Sequence, residues 1–389
     1  MAYTTVDNPE LYFQTKLYTG NGSAQSFTLD GSENMQPDWV WIKPRSFDDN
    51  HILVDSVRGT NKILRSNLVN AESTLTTMLT SFDSDGFTTG GNDNVTRNSE
   101  TFVAWNWKAS GSTSSDSNGS ITSTISANTT AGFSIVTYTG TGSNATVGHG
   151  LGAVPQMIIV KNRDGGTDNW AVYHGELGKD KWLKLNTSDA SATDTVMWND
   201  TTPTSSVFSV GTYTNSNGNT NGMLAYCFSE KQGYSKFGSY EGNGNADGPF
   251  IYTGFKPAFV MCKSIDTTSN WNIFDNKRST FNDVDDYIKA NANAAEDTGS
   301  SDIQMDFLSN GFKIKGNNDE VNGSDTLLVA NDDDSESDWG TGRKIDFLSN
   351  GFKARSSSTG LNVSGSPYIY YAVAESPFVN SNGVPTNAR

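Results

Sequence analysis

The chain has 389 residues, with 27 basic against 43 acidic side chains and a net charge of −16. That balance argues against a surface that tracks nucleic-acid phosphates, and no nucleic-acid partner is expected. Only 18% of residues are charged, and the 20 Phe, 14 Tyr and 9 Trp supply core material that a disordered chain lacks. Two cysteines, Cys227 and Cys262, make no disulfide framework. No apolar run approaches the roughly 18 residues of a membrane helix, so membrane insertion is not expected.

The first residues, "MAYTTVDNPELYFQTK", lack a basic n-region and an apolar h-region, so no signal peptide is read. "ELYFQT" resembles a tag-protease scar, but it runs straight into a strand pattern and is read as native. "YTGNGSAQSFTLDG" (18–31) alternates apolar and polar residues at period two and predicts a strand pair. Its "YTGNG" recurs as "YTGTG" (138–142) and "YEGNG" (240–244). Next comes a proline that opens an apolar run ending in lysine: "PDWVWIK" (37–43), "PQMIIVK" (155–161) and "PAFVMCK" (257–263). Runs that are apolar on both faces predict central strands covered on each side, with proline at the start, where a missing N–H costs least.

The order continues with "DNHILVD" (49–55), "DNWAVYH" (168–174) and "SNWNIFD" (269–275), then "KILRSN" (62–67), "KWLKLN" (181–186) and "DYIKAN" (286–291). A phenylalanine-centred strand and turn follows: "SFDSDGF" (81–87), "VFSVGTY" (207–213) and "DFLSNGF" (306–312). An aromatic strand closes each unit: "FVAWNWK" (102–108), "LAYCFSE" (224–230) and "YYAVAE" (370–375). Matched blocks in one order, three times, predict three copies of one unit. The fold class expected is all-β, with three consecutive β-sandwich, jelly-roll-like repeat domains in a row. The boundaries read as 1–109, a Ser/Thr-rich linker or loosely paired strand at 110–130, then 131–235 and 236–379, with a tail at 380–389.

"DFLSNGFK" occurs at 306–313 and again at 346–353, so residues 306–345 read as a tandem duplication inside the third unit. One copy is expected in the common sheet and the other in an added hairpin. The second, placed nearer the closing strand, is expected to be the true equivalent.

The three copies act as internal controls. Trp39 and Trp41 align with Met157 and Ile159, then with Phe259 and Met261, which favours core over a sugar-stacking platform. Cys262 aligns with Ile42 and Val160 and reads as a buried small hydrophobe; Cys227 aligns with Asn106 and Ala372, and neither reads as a reactive thiol. His51 aligns with Trp170 and Trp271 and reads as a packed ring; His174 aligns with Asp55 and Asp275. His51, His149 and His174 show no zinc-ligand spacing. Asp55 with Arg58, and Asp275 with Arg278, share the spacing D-x-x-R and read as structural ion pairs; His174 and Leu177 stand there in the second copy. Asn67, Asn186 and Asn291 fall at one position and are expected in a turn with positive φ. "NDDDSESDW" (331–339) alternates Asp332, Asp334, Glu336 and Asp338; it lacks the glycine and final glutamate of a calcium loop and reads as a solvated acidic loop. No catalytic, cofactor-binding or metal-ligating residue is assigned. There is no nucleophile elbow or P-loop, and no acid recurs across the copies as one of a catalytic pair.

"ELYFQTKLYTGNGSAQSFTLDG", "QPDWVWIKPR", "HILVDSVRG", "SFDSDGF" and "YIYYAVAESPF" resemble repeat-domain proteins of marine tailed bacteriophages and prophages. The resemblance spans nearly the whole chain and carries no catalytic motif. It implies a non-enzymatic virion structural protein, a tail fibre or adhesin acting in host attachment. It also implies a homo-oligomer, as a homotrimer, in contact with other virion proteins and with a host surface glycan or outer-membrane protein. The expected location is the phage particle surface, on tail or capsid. The rival readings are a capsid decoration or head-fibre protein, a tail-borne glycan depolymerase, and a sugar-binding module.

Overall fold

Three apolar runs form the central strands, Trp39–Pro44, Met157–Asn162 and Phe255–Ser264. In the computed structural model, residues 4–243, 245–315 and 365–377 are described, with five short strands between the last two segments. Each central strand pairs antiparallel with a following strand: Ile52–Asp55, Ala171–His174 or Asn272–Asp275. On its other side lies a closing strand: Thr101–Trp107, Gly222–Phe228 or Pro367–Pro377. Beyond the closing strand comes an opening strand: Phe13–Thr19, Phe133–Thr139 or Ser235–Glu241. The order opening–closing–central–following therefore appears in three sheets. The residues around them are called here the first (4–109), second (110–234) and third (235–377) sectors. The fold is all-β.

Period-two alternation divides each central strand between two cores. Val40 and Ile42, Ile158 and Val160, and Val260 and Cys262 face outward within their own sector. There the main sheet is backed by a smaller one, Gln25–Thr28 with Gly86–Thr89 and Leu79–Asp83 in the first sector. Gly86 of "SDGF" is needed in that hairpin. Its φ is +121°, and a Cβ would strike the Phe27 carbonyl of the paired strand.

The inner residues Trp39, Trp41, Met157, Ile159, Phe259 and Met261 belong to a single cluster drawn from all three sectors. Trp39 stacks on Tyr226 at 4.2 Å, Trp107 meets Phe259 at 5.7 Å, and Phe228 meets Tyr371 at 5.1 Å between ring centroids. Each pair crosses a different sector boundary, so the three sheets close into a ring around a shared core. The sandwiches expected in a row share this inner core. A sheet with two apolar faces needs cover on both, and here the inner cover is the other two sheets.

Residues 110–130, read as a linker or a loosely paired strand, contain two paired strands: Ser123–Asn128 pairs with the opening strand Phe133–Thr139, and Ser114–Asp116 pairs with Ser123–Asn128. One further expectation is revised. The first copy of the octapeptide, and not the second, fills the common position. Its strands Gln304–Leu308 and Gly311–Lys315 join Phe250–Tyr252 in the order seen for the first sector's smaller sheet. The second copy forms a separate two-stranded hairpin, Asp346–Leu348 with Gly351–Lys353. The tail 380–389 lies outside the described residues.

Candidate functional site

Two buried Asp–Arg pairs and two of the three histidines lie at the three seams between sectors. Asp55 and Arg58 form a fully buried ion pair at 2.6 Å, and Asp275 and Arg278 repeat it at 2.6 Å. Each aspartate also accepts a bond from the next sector: Tyr226 Oη donates to Asp55 at 2.9 Å, and Trp105 Nε1 donates to Asp275 at 3.0 Å. Each arginine reaches on to a bridging glutamate. Arg58 and Arg163 converge on Glu72 (3.0 and 2.8 Å), and Arg278 and Arg45 converge on Glu296 (3.1 and 2.8 Å). Burial would raise the Glu72 acid, but the two guanidiniums hold it below the usual carboxylate range. The sequence predicts these D-x-x-R pairs as structural, and the geometry supplies their role, which is joining sectors.

The seam between the second and third sectors is built differently. His174 stands where the aspartates stand; its Nδ1 accepts from the Glu176 N–H at 3.2 Å, and its Nε2 faces the Tyr370 carbonyl at 3.3 Å. Leu177 replaces the arginine and packs into the shared core. One backbone bond recurs at all three seams: Glu72 N to Arg163 O, Ser191 N to Ile265 O, and Glu296 N to Arg45 O, at 2.7–2.9 Å.

The aligned rings His51, Trp170 and Trp271 make a second recurrent contact. Trp170 Nε1 donates to the Arg65 carbonyl and Trp271 Nε1 to the Lys184 carbonyl, both at 2.9 Å. His51 Nε2 faces the Lys289 carbonyl at 3.1 Å, while its Nδ1 accepts from Trp41 Nε1 at 2.7 Å. Burial pushes the His51 imidazole well below its ordinary value, with Lys43 adding like charge, and burial lowers His174 to about 4. His149 lies inside the second sector. There Nδ1 accepts from Leu151 N and Nε2 faces the Thr204 carbonyl.

Asn67, Asn186 and Asn291 do not take positive φ as expected. Their carboxamide oxygens accept from the backbone N–H of His51, Trp170 and Trp271, and their NH2 groups donate to Asn50, Asn169 and Asn270. The carboxamide, with both a donor and an acceptor, is what the position uses. Cys227 and Cys262 are fully buried, and burial pushes both thiols far above their ordinary range. Trp39 and Trp41 lie inside the shared core and offer no stacking surface.

Sequence reasoning passed over one recurrent group. Lys43, Lys161 and Lys263 close the three central runs and are all fully buried. Their ammonium groups donate to backbone carbonyls: Pro44 for Lys43, Val69 and Asp168 for Lys161, and Ser264 for Lys263. Burial lowers each to about 8, opposed by Asp49 and Asp48, Asp168, and Asp189 and Asp266 respectively. The signal available was the same lysine at the end of all three runs.

An open cleft lies between the first and third sectors, lined by Phe13, Gln14, Thr15, Asn276, Lys277 and Glu375 among others. Among the described residues no group of three or more His, Cys, Asp or Glu could hold a metal ion. The acidic stretch 331–339 lies outside the described residues apart from the strand backbone at 337–338. No helix among the described residues is long and apolar enough to cross a membrane.

A family profile described as a domain of unknown function (DUF7483) matches residues 8–328 and again 319–377. The chain belongs to the DUF7483 family. The first match alone takes in the first two sectors and most of the third, so it spans more than one sector. The two matches overlap at 319–328, inside the segment that carries the duplication. No curated protein and no solved structure matches the chain.

Proposed function

We propose that this DUF7483 chain is a non-enzymatic structural protein of a tailed-phage particle, acting in attachment as a tail fibre or adhesin. One observation carries the reading: the buried acid, base and histidine groups at the seams are committed to holding the ring together. Asp55, Arg58, Asp275, Arg278, His51 and His174 are buried and bonded across seams, and the two thiols are sealed in sector cores. A rigid body that leaves its loops free to vary suits recognition of a host glycan or outer-membrane protein. Copies associate, as trimers by the resemblance, through surfaces outside the shared core.

A second reading, capsid decoration or head fibre, is favoured by the closed ring, which makes a compact body and not an extended shaft. Purified particles test both. The attachment reading requires the chain among particle proteins and requires isolated protein to compete with particle adsorption. Presence on the capsid without competition selects decoration. Absence from particles, or sustained release of reducing ends from envelope polysaccharide that one carboxylate change abolishes, overturns the structural reading.

A further inference from the structure

We propose that His51 and His174 form an acid-sensitive latch that holds the third sector in the ring. The geometry requires both rings to be neutral with the proton on Nε2. In each, Nε2 faces a carbonyl oxygen of the neighbouring sector, Lys289 at 3.1 Å and Tyr370 at 3.3 Å. In each, Nδ1 accepts from a fixed donor, Trp41 Nε1 at 2.7 Å and Glu176 N at 3.2 Å. The tautomer follows from these partners. Protonation places an N–H at Nδ1 against another N–H, in a buried site where an unmade bond and an unpaired charge are both costly.

The charged neighbours do not offset this. Lys43 near His51 opposes a second positive charge. Lys289, whose carbonyl faces His51, has its ammonium paired with Asp297 at 2.6 Å. Asp48 and Asp49 act on Lys43. Near His174, Glu176 accepts from Ser239, Tyr370 presents its backbone carbonyl, and the Phe237 ring lies 6.4 Å away. Among the described residues no carboxylate shifts either ring.

Placement makes this a latch and not a general weakness. The third sector has two seams, and each contains one of these histidines. The remaining seam, first to second, has Trp170, which does not titrate, in the histidine's place; its Asp55–Tyr226 and Arg58–Glu72–Arg163 bonds are matched by Asp275–Trp105 and Arg278–Glu296–Arg45 at the first-to-third seam, so the titrating ring is what sets the seams apart. Burial lowers both imidazoles, His174 to about 4, and so favours the neutral rings at neutral pH. Acid therefore loosens the third sector from both neighbours while the first and second stay joined.

Hydrogen–deuterium exchange on the full chain, corrected for intrinsic rates, tests this between neutral pH and about pH 4. Strands 272–275 and 368–374 are expected to exchange at least about tenfold faster in acid, relative to strands 52–55 and 224–228, a change equivalent to one pH unit of single-proton linkage. The double variant His51→Gln with His174→Asn keeps the neutral ratio in acid, and His149→Asn behaves as wild type. Uniform loss of protection, or a double variant that opens like wild type, overturns the latch. Should the double variant fail to fold, ring nitrogen NMR on wild type decides. Imidazolium forming at His51 or His174 near the ordinary histidine value, with third-sector strands still protected, refutes the proposal. Neutral Nε2–H rings that persist until those strands open support it.

Discussion

Deleting residues 306–345 joins Met305 directly to the second "DFLSNGFK" and restores eight identical residues to the hairpin. Phe347 and Phe352 then take the places of Phe307 and Phe312, which are buried in the third sector's core. The register is unchanged until the ninth position, where Ala354 replaces the fully buried Ile314 and Arg355 replaces Lys315. The expected cost is that of a large-to-small core substitution, about 2–5 kcal/mol. Ala354→Ile in the deleted protein should recover most of it. Urea unfolding followed by tryptophan fluorescence, with linear extrapolation, measures both. The expected result is a soluble, cooperatively folded deletion protein, less stable than wild type and rescued by the isoleucine. A protein that does not fold and is not rescued, or one that loses nothing, refutes the assignment of the first octapeptide to the common sheet.

Truncating Trp39, Met157 or Phe259 to alanine should each cost about 2–5 kcal/mol of stability. Because the core is shared, each should lower one cooperative transition and not release a single sector; separate transitions in calorimetry would contradict this. Arg58→Met and Arg278→Met each leave a buried aspartate without its cation and should cost about 3–5 kcal/mol in denaturant titrations. Lys43, Lys161 and Lys263 have folded values of about 8, below the ordinary 10.5, so between those limits the unfolded chain holds protons that the folded chain has released. Stability should therefore rise with pH from about 8 toward 10, by up to about 3 kcal/mol per lysine. It should fall again above about 10, where unfolded tyrosines ionise but buried ones such as Tyr18 and Tyr226 do not. A flat or falling profile between 8 and 10 in urea titrations would contradict the burial of the lysines.

The strand blocks were legible because period-two burial leaves its mark in a short window. The apolar run 39–44 could be read as covered on both faces, and D-x-x-R as an ion pair. What covered the second face was not legible. Trp39 meets Tyr226 and Trp105 meets Asp275 across separations that no local pattern encodes. Copy alignment identified His51 with Trp170 and Trp271 as rings in one place, yet their use became clear only from the carbonyls opposite. For Asn67 the expected backbone role failed because asparagine is equally suited to bridging two backbone segments. For the octapeptide, distance to the closing strand misled: two identical strings compete for one site, and which one pairs with Phe250–Tyr252 is decided in three dimensions.

Closure of the ring also dictates when the protein can finish folding on the ribosome. The first sheet presents Trp39, Trp41, Trp105 and Trp107 on its inner face, and their partners include Phe259 and Tyr371. Those residues belong to the third sector and emerge after the first two, so the early sectors wait with a tryptophan-rich face open while the third is made at about 5–20 residues per second. Contacts this distant in sequence also close slowly. A nascent chain halted before residue 365 lacks the strand that seals the third sheet, and it carries an exposed aromatic surface ready for a chaperone or for another unfinished copy.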